Sequence, residues 1–404
     1  MRATPVWLLI LFFSLPIFAQ NVNFNKGKAA KKNYYTEVAY AELKNKIIIP
    51  VKIQGQTYRF LFDTGAPNLI SHSLKDLIQT KALQTIQVKD ANDKRRPLNV
   101  VMIPLLDIGG VSFKNSPAIV NDTASNFLFD CLKIDGIIGS NLVRNGIVQI
   151  DAKKKQIILT DQVKKLGLED LDYLDMALNS NQSSPYIWIR LTGEGKAREQ
   201  VLLDTGAEGF YDLSFNSFKK LNQLRVFSHI DSAQGYKGVG LFGVSEPTTH
   251  YRVQLPSIDF LDTEFANVIS VSTAALKSRI GADLLRYGKA TLNFKQKRFY
   301  FEAFDSKVDL QEEVWSFSPT VKNGQVVVGI VWDESLSTSL KSGDSIIKIN
   351  ELDTGSMDIC DLLVKASPLQ DHDELNIIIK DDSEIAKEIK LENYYLVPNI
   401  RKAE

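Results

Sequence analysis

The feature that most constrains this chain is a pattern that occurs twice at nearly constant spacing. FLFDTGA (residues 60–66) and VLLDTGA (201–207) each join an aliphatic run to Asp-Thr-Gly-Ala. Further along, IIGSNLVRNGIVQIDAKKKQIIL from Ile137 aligns without a gap with RIGADLLRYGKATLNFKQKRFYF from Arg279. The offset is 142 residues there and 141 residues between Asp63 and Asp204. Two features that keep their separation in both halves predict an internal duplication of about 120 residues per copy.

The residues around these motifs predict strands. KIIIPVKI, YRFLF, NVVMIPLLDI, GIVQI and QIILT are β-branched or aromatic runs of strand length, broken by Gly, Asn and Asp. A chain of 404 residues is long enough for two or three domains. Lys plus Arg equals Asp plus Glu, at 48 each, so no broad charge excess favours nucleic acid or an anionic membrane as partner. We therefore expect a mainly β protein of several domains.

Each repeated motif delivers a carboxylate to the end of a strand, where glycine permits a sharp turn. Duplicated units tend to pack about a pseudo-twofold axis, which would bring Asp63 and Asp204 face to face. Two carboxyl groups in one site share a proton, so one can act as a base and the other as an acid. Such a pair can activate water against a peptide carbonyl without a metal, a cofactor or a covalent nucleophile.

These residues resemble the aspartic proteases of the pepsin and retropepsin type, over residues 46–305. The resemblance implies a bilobed β-barrel fold in which Asp63 and Asp204 form the catalytic dyad. It also implies a supporting set around the dyad: Thr64, Gly65, Ala66, Thr205, Gly206 and Ala207. Alanine at 66 and 207 is similar to the retropepsin form and removes a hydroxyl donor from each carboxylate. We therefore expect a less acidic optimum than that of pepsin.

The two copies of the repeat differ more in the apolar segments behind the loops and in the expected flaps than in the Asp-Thr-Gly-Ala motifs. Ile137, Ile138 and Gly139, with Ile280 and Gly281, resemble the segment that packs behind each catalytic loop. Arg279 departs from this pattern, which calls for an apolar residue. GYKGVGLFG (235–243) suits a flap over the substrate, whereas VKDANDKRRPLNV (88–100) is charged and lacks glycine. The flap assignment stays open.

A third Asp-Thr-Gly at Asp353 lacks this context, because NEL precedes it and no matching glycine segment follows. Its surroundings resemble a PDZ domain of the kind attached to bacterial exported proteases, in which this motif is a surface turn. A PDZ-like domain would bind a peptide or protein ligand by adding a strand to its sheet. It could equally be a rigid spacer or an inhibitory cover for the cleft, and all three alternatives stay open.

The N-terminus indicates export. Arg2 precedes the apolar stretch WLLILFFSLPIFA (7–19), typical of a signal peptide cleaved near Ala19, and shorter than the roughly 20 residues of a membrane span. We expect a periplasmic or extracellular bacterial protein.

Cys131 and Cys360 lie far apart, and free buried thiols are expected rather than a disulfide. His72, His229, His250 and His372 lack metal-ligand spacing, and no nucleophile elbow or phosphate loop occurs.

The sequence thus predicts an exported aspartic endopeptidase, active as a monomer, that cleaves polypeptides with an Asp63/Asp204 dyad. The alternative is a non-cleaving peptide-binding protein with a protease-like fold and a PDZ adaptor. The predicted boundaries are a signal peptide (1–19), a leader (20–45), lobe 1 (46–165), a linker (166–183), lobe 2 (184–305) and an α+β PDZ-like domain (308–395).

Overall fold

Strands dominate the computed structural model, so the expectation of a mainly β protein is confirmed. The structure describes residues 23–90, 92–121, 127–244, 246–365, 367–381 and 385–399. The predicted signal peptide (1–19) lies outside these residues. Within the described ranges, no helix is long and apolar enough to cross a membrane.

The first unit, residues 46–165, is built around the first Asp-Thr-Gly. Its elements are β4 (Lys46–Ile53), β5 (Gln56–Asp63), β6 (Leu69–Ser71), α1 (His72–Leu77), β7 (Gln84–Lys89), β8 (Arg95–Ile108), β9 (Val111–Asn121), α2 (Phe127–Leu132), β10 (Gly136–Gly139), α3 (Ser140–Val143), β11 (Ile147–Asp151), β12 (Gln156–Thr160) and a 3-10 helix (Val163–Lys165). Strand β5 lies parallel to β10, which is antiparallel to β6.

The second unit, residues 184–305, has a similar order of elements, with two additional short strands and, among the described residues, no helix in the place of α2. Its elements are β15 (Pro185–Thr192), β16 (Lys196–Leu203), β17 (Tyr211–Asp212), α4 (Phe215–Gln223), β18 (His229–Gly235), β19 (Val239–Gly240), β20 (Gly243–Val244), β21 (Thr248–Phe260), β22 (Thr263–Val271), β23 (Arg279–Ile280), a 3-10 helix (Ala282–Arg286), β24 (Gly288–Asn293) and β25 (Arg298–Ala303). Strand β16 lies parallel to β23, which is antiparallel to β17. The strand that ends at each motif therefore has the same neighbours in both units.

The two units share one sheet and one main core. Strands β11 and β12 of the first unit continue into β24 and β25 of the second. Gln149 lies opposite Thr291, its counterpart at the 142-residue offset, and its Nε2 donates to Thr291 Oγ1 over 2.9 Å. Their neighbours along the two strands, such as Val148 and Leu292, pack in the main core, which draws on both units. Burial of this common apolar surface holds the two units in a fixed relation.

The alternation of side chains along β4 and β5 explains why an apolar run precedes the first motif. Ile47, Ile49, Phe60 and Phe62 face the main core, whereas Ile48 and Leu61 face a second apolar cluster on the other side of the sheet. Side chains of a strand alternate between faces, so a strand with both faces covered reads as a continuous apolar run. The run FLF before Asp63 therefore reflects a strand covered on both faces.

The segments expected to be a leader and a linker join these sheets. Strands β1 (Lys28–Ala29), β2 (Tyr35–Ala39) and β3 (Ala41–Leu43) pair with β9, β12 and β4, respectively. In the linker, β13 (Leu174–Asp175) pairs with β25 and β14 (Ala177–Leu178) pairs with β15. The sequence did not predict these strands because they are polar. They add to sheet edges, where one face stays in water.

Residues 307–392 contain the remaining elements: β26 (Lys307–Asp309), β27 (Phe317–Lys322), β28 (Gln325–Val331), a 3-10 helix (Glu334–Leu336), β29 (Ser345–Ile349), β30 (Leu352–Asp353), α5 (Asp361–Val364), β31 (Glu374–Lys380) and β32 (Ala386–Glu392). From Phe317 to Leu391, buried residues form a third core of their own. Strand β28 also pairs with β18 of the second unit, through Gly235 and Ile330. The C-terminal unit, residues 315–392, is therefore a separate core attached to the sheet of the second unit.

The expectation of free thiols was wrong, because Cys131 and Cys360 form a disulfide across a sequence separation of 229. Cys131 lies in α2 of the first unit and Cys360 directly precedes α5, and these two helices are in contact. Sequence spacing carries no information about this approach, since only the docking of the C-terminal unit brings the two helices together. The disulfide ties the C-terminal unit to the first unit, while β28 ties it to the second.

Candidate active site

Two loops, residues 63–66 and 204–207, meet where β5 and β16 end; we call them the first and second DTG loops. Glycine behind each loop allows a close approach that a side chain would prevent. A Cβ on Gly139 would lie 2.2 Å from Ala66 O, and one on Gly281 would lie 2.9 Å from Ala207 O. The apolar-Gly segments therefore pack directly behind the loops, as the resemblance implied.

The threonines of the two loops exchange hydrogen bonds across the interface between the units. Thr64 N donates to Thr205 Oγ1 and Thr205 N donates to Thr64 Oγ1, both over 3.1 Å. Each hydroxyl in turn donates to the opposite strand, Thr64 Oγ1 to Leu203 O at 2.6 Å and Thr205 Oγ1 to Phe62 O at 2.9 Å. Both side chains are buried, so these bonds satisfy groups that water cannot reach. The four bonds hold the loops at one separation.

The structure brings the carboxyl groups of Asp63 and Asp204 so close that the charge of Asp204 raises the pKa of Asp63. Each carboxyl group also lies against the glycine of the opposite loop. A Cβ on Gly65 would lie 2.6 Å from Asp204 Cγ, and one on Gly206 would lie 2.3 Å from Asp63 Oδ2. Only a residue without a side chain fits at either position while the two carboxyl groups stay where they are.

Burial and the neighbouring carboxylate change the protonation of this pair. Burial first, and then the charge of Asp204, raise the pKa of Asp63 to about 7, although the backbone N–H groups of Gly65 and Ala66 oppose the rise. These two N–H groups donate to Asp63 Oδ1 over 2.8 and 3.0 Å. The pair therefore holds one proton from mildly acidic to near-neutral pH. Asp63 is half-buried and remains in contact with solvent.

The second loop holds its carboxylate differently. Asp204 Oδ1 accepts Gly206 N over 3.0 Å, while Ala207 N donates to the backbone oxygen of Asp204. Arg279 Nη1 lies 3.2 Å from Asp204 Oδ2, and Arg279 Nε lies 2.8 Å from Asp212 Oδ2. The residue that departed from the repeat therefore contacts the predicted dyad directly, a contact that the sequence did not predict.

Further polar groups brace the loops without counterparts in the repeat. Ser140 Oγ donates to Thr64 O over 2.6 Å, and Gln182 Nε2 donates to Gly65 O over 3.1 Å. Sequence reasoning missed both residues. The aligned counterpart of Ser140 is Ala282, and Gln182 lies in the expected linker, so comparison of the copies carried no signal for either.

The two candidate flaps contact each other. Asp90 Oδ2, in the turn between β7 and β8, accepts Phe242 N over 2.9 Å, and Asn92 Nδ2 donates to Gly243 O over 3.0 Å. Phe242 is buried in the second apolar cluster beneath Arg96, whose Cζ lies 5.3 Å from the ring centroid. The charged, glycine-free hairpin of the first unit and the glycine-rich segment of the second therefore interlock.

The third Asp-Thr-Gly lies apart from this site. Asp353 ends β30 and is exposed, and its Oδ1 accepts Gly355 N over 2.9 Å. Thr354 Oγ1 donates to Ile346 O, within the C-terminal unit. This copy is a turn between a strand and a helix, as the sequence context indicated.

Comparison with known proteins found a family match within the first unit. Residues 49–142 match the model of a family described as aspartyl protease, and this segment contains the first DTG loop and the glycine that packs behind it. No curated protein matches the chain. The family match supports a peptidase, whose substrates are polypeptides.

Proposed function

We propose that this protein is an exported aspartic endopeptidase in which Asp63 and Asp204 activate water for attack on a peptide bond. One observation carries the proposal: two carboxyl groups from different units each lie against the glycine of the opposite loop, on loops braced by reciprocal threonine bonds. The aspartyl protease match to residues 49–142 supports the same reading. Because both carboxyl groups come from one chain, a monomer contains the whole site.

The chemistry follows from one shared proton. The ionised carboxylate takes a proton from water as the water oxygen forms a bond to the peptide carbon, and the protonated carboxyl group gives its proton to the carbonyl oxygen. The resulting tetrahedral diol collapses when the first aspartate passes its new proton to the leaving nitrogen. The second aspartate then regains a proton from a hydroxyl group of the diol, and the pair returns to its starting state.

The pH range of this activity should lie above that of pepsin-like enzymes. A pKa of Asp63 near 7, raised by burial and by Asp204, supports a pair that stays singly protonated up to near-neutral pH. Alanine at 66 and 207 leaves each carboxylate without a hydroxyl donor at that position, in line with the same expectation.

For the C-terminal unit we propose a PDZ-like peptide-binding fold that also braces the protease. Its own core, its antiparallel sheet and its short helix α5 support a separate domain. Its pairing with β18 and its disulfide to α2 attach it to both units, which favours a brace or cover over a freely tethered adaptor. Export is supported by the predicted signal peptide and by the disulfide, since disulfides persist in oxidising compartments.

The test is cleavage of an unfolded protein, such as reduced casein, by the full-length oxidised chain across pH. We expect pepstatin-sensitive cleavage that falls by about 10²–10⁴-fold in Asp63→Asn and in Asp204→Asn, because each removes one partner of the proton exchange. Asp353→Asn is the matched control, since it changes the third copy of the motif, and should keep wild-type activity.

Absence of cleavage by the folded wild type at every pH would contradict the proposal. If the folded protein bound the same peptides without cutting them, the non-cleaving binding protein would replace it. Equal activity in the wild type and both dyad variants would assign any cleavage to a contaminant.

A further inference from the structure

The predicted dyad is asymmetric at one position. Arg279 opens β23 behind the second DTG loop, and Ile137 occupies the equivalent place in β10 behind the first. Their backbones have the same register, because Ile137 pairs with Leu61 and Arg279 pairs with Leu202, each two residues before the aspartate. Ile137 packs into the second apolar cluster, whereas Arg279 turns its guanidinium to Asp204 and Asp212.

We propose that Arg279 is a positioning residue that keeps Asp204 as the ionised member of the pair and places the shared proton on Asp63. This inference rests on the proposed function for its catalytic meaning, but its electrostatic content can be tested without activity. It assigns the base and the acid, which the general mechanism leaves interchangeable.

The hydrogen-bond donors support this assignment. Both oxygens of Asp204 have a donor, since Gly206 N serves Oδ1 and Arg279 Nη1 serves Oδ2. On Asp63, both backbone donors, Gly65 N and Ala66 N, converge on Oδ1. The other oxygen, Oδ2, can then carry the proton toward Asp204. A cation 3.2 Å from one carboxylate favours the charged form of that carboxylate over its partner.

The surrounding charges balance in this state. Asp212 holds the other edge of the Arg279 guanidinium, and Lys237 lies close enough to be affected by both groups. Burial first lowers the pKa of Lys237 to about 8, so this lysine is charged at and below neutral pH. With one proton on the pair, Arg279 lies between two carboxylates, Asp204 and Asp212, and Lys237 adds a second positive charge that acts on Asp212.

Three other titratable groups lie near the pair. Burial first, and then the charge of Asp204, raise the pKa of Tyr186, so it stays neutral and adds no charge. Lys46 Nζ lies 3.0 Å from Gly206 O and 3.2 Å from Glu208 Oε1, so its charge is already paired. None of these groups can take over the role of Arg279 at Asp204.

The reaction then has a direction. Asp204 takes the proton from the attacking water, and Asp63 gives its proton to the carbonyl oxygen. In the second half, Asp204 passes its proton to the leaving nitrogen and Asp63 recovers one from the diol. Arg279 takes no proton in either half of the reaction, and it acts by keeping Asp204 able to accept the proton.

The first measurement is the pH profile of kcat/KM for Arg279→Met and Arg279→Lys in the full-length chain. Loss of the cation makes ionisation of the pair harder at both steps, so both limbs of the profile should move to higher pH in Arg279→Met, by about 1–3 units. Arg279→Lys keeps the charge and should recover most of this displacement. A lower rate at every pH with unmoved limbs would assign Arg279 a merely structural role and overturn the proposal.

The second measurement needs no activity. Carbon-13 carboxyl NMR of aspartate-labelled protein, with resonances assigned through Asp63→Asn and Asp204→Asn, reports which carboxyl group keeps the proton. We expect the Asp63 signal to titrate at higher pH than the Asp204 signal, and this difference to shrink in Arg279→Met. If Asp204 loses its proton last in the wild type, the proposal fails.

The two measurements separate this inference from the proposed function. An inactive protein with the expected NMR titration would refute the peptidase and keep the role of Arg279. An active enzyme in which Asp204 loses its proton last would support the peptidase and refute the role of Arg279. The double variant Arg279→Met/Asp212→Asn removes one positive and one negative charge together. It replaces Arg279→Met in both measurements if the single variant fails to fold.

Discussion

The two DTG loops share a backbone scaffold but differ in what holds each carboxylate. In both, the glycine N–H donates to the Oδ1 of its aspartate, and the threonines make reciprocal bonds. Asp63 receives a second backbone donor from Ala66, whereas Asp204 receives the guanidinium of Arg279. A repeated scaffold can therefore set the distance between two acids, while a single side chain behind one strand makes their electrostatic environments unequal.

The largest expected effect comes from filling the space between the loops. Gly65→Ala places a methyl group where Asp204 now lies, and Gly206→Ala places one where Asp63 lies, so the carboxyl groups must separate. A displacement of about 1 Å at reacting groups can cost about 10²-fold, and we expect at least that loss in kcat/KM for each variant.

Gly355→Ala in the third copy is the matched control for this comparison. Its Cβ would lie 3.2 Å from Oδ1 of Asp353 in the same turn, and among the described residues no other heavy atom beyond its chain neighbours lies within 4 Å. Peptide cleavage should stay within about twofold of wild type, as for an ordinary surface substitution. Equal losses in all three variants would mean that the glycines matter only for the local turn.

A smaller effect is expected from the threonines, and it should be equal in the two loops. Thr64→Val and Thr205→Val each remove a buried hydroxyl that accepts one N–H and donates to one carbonyl oxygen of the other unit. Groups left unpaired in the interior cost about 1–3 kcal/mol of unfolding free energy. Urea denaturation measures this loss, and activity should fall with it.

Thr354→Val tests whether this cost comes from the interface between the units. Thr354 is also buried, but its hydroxyl donates to Ile346 O within the C-terminal unit. Its loss should lower stability and leave kcat/KM unchanged. Unequal losses in Thr64→Val and Thr205→Val would show that the two loops are not interchangeable even in their scaffold.

A separate effect is expected in the pH dependence of stability, through the contribution of Asp63. Its pKa is raised to about 7 by burial and by Asp204, above the ordinary value of 3.8, so the folded protein keeps a proton that the unfolded chain loses first. Stability linked to this group therefore falls as pH rises from about 4 to about 7 and levels off above that range.

Asp63→Asn removes this contribution. Its thermal midpoint should decline less between pH 4.5 and pH 7.5 than the wild-type midpoint, as followed by circular dichroism. Parallel declines in the two proteins would mean that Asp63 is ionised throughout that range.

Much of the site could be anticipated from the repeat, because both copies carried the same signals at the same offset. An aliphatic run before the aspartate and a glycine segment some seventy residues later described the strand and its parallel neighbour. Other features had no such signal. The Cys131–Cys360 disulfide and the contact between Asp90 and Phe242 depend on segments that meet only after the units dock. The strands within 28–43 are short and largely polar, and they pair with strands of the first unit.

The third copy separates what the sequence by itself determined from what tertiary structure decided. All three Asp-Thr-Gly segments form the same local bond, from the glycine N–H to the aspartate Oδ1, at 2.8, 3.0 and 2.9 Å. This turn is local because a short carboxylate reaches the N–H two residues ahead in any setting. Whether that carboxylate meets a second carboxylate, an arginine or open water depends on which distant strand lies beside it. Only the packing of one unit against the other turned two of these three turns into a candidate active site.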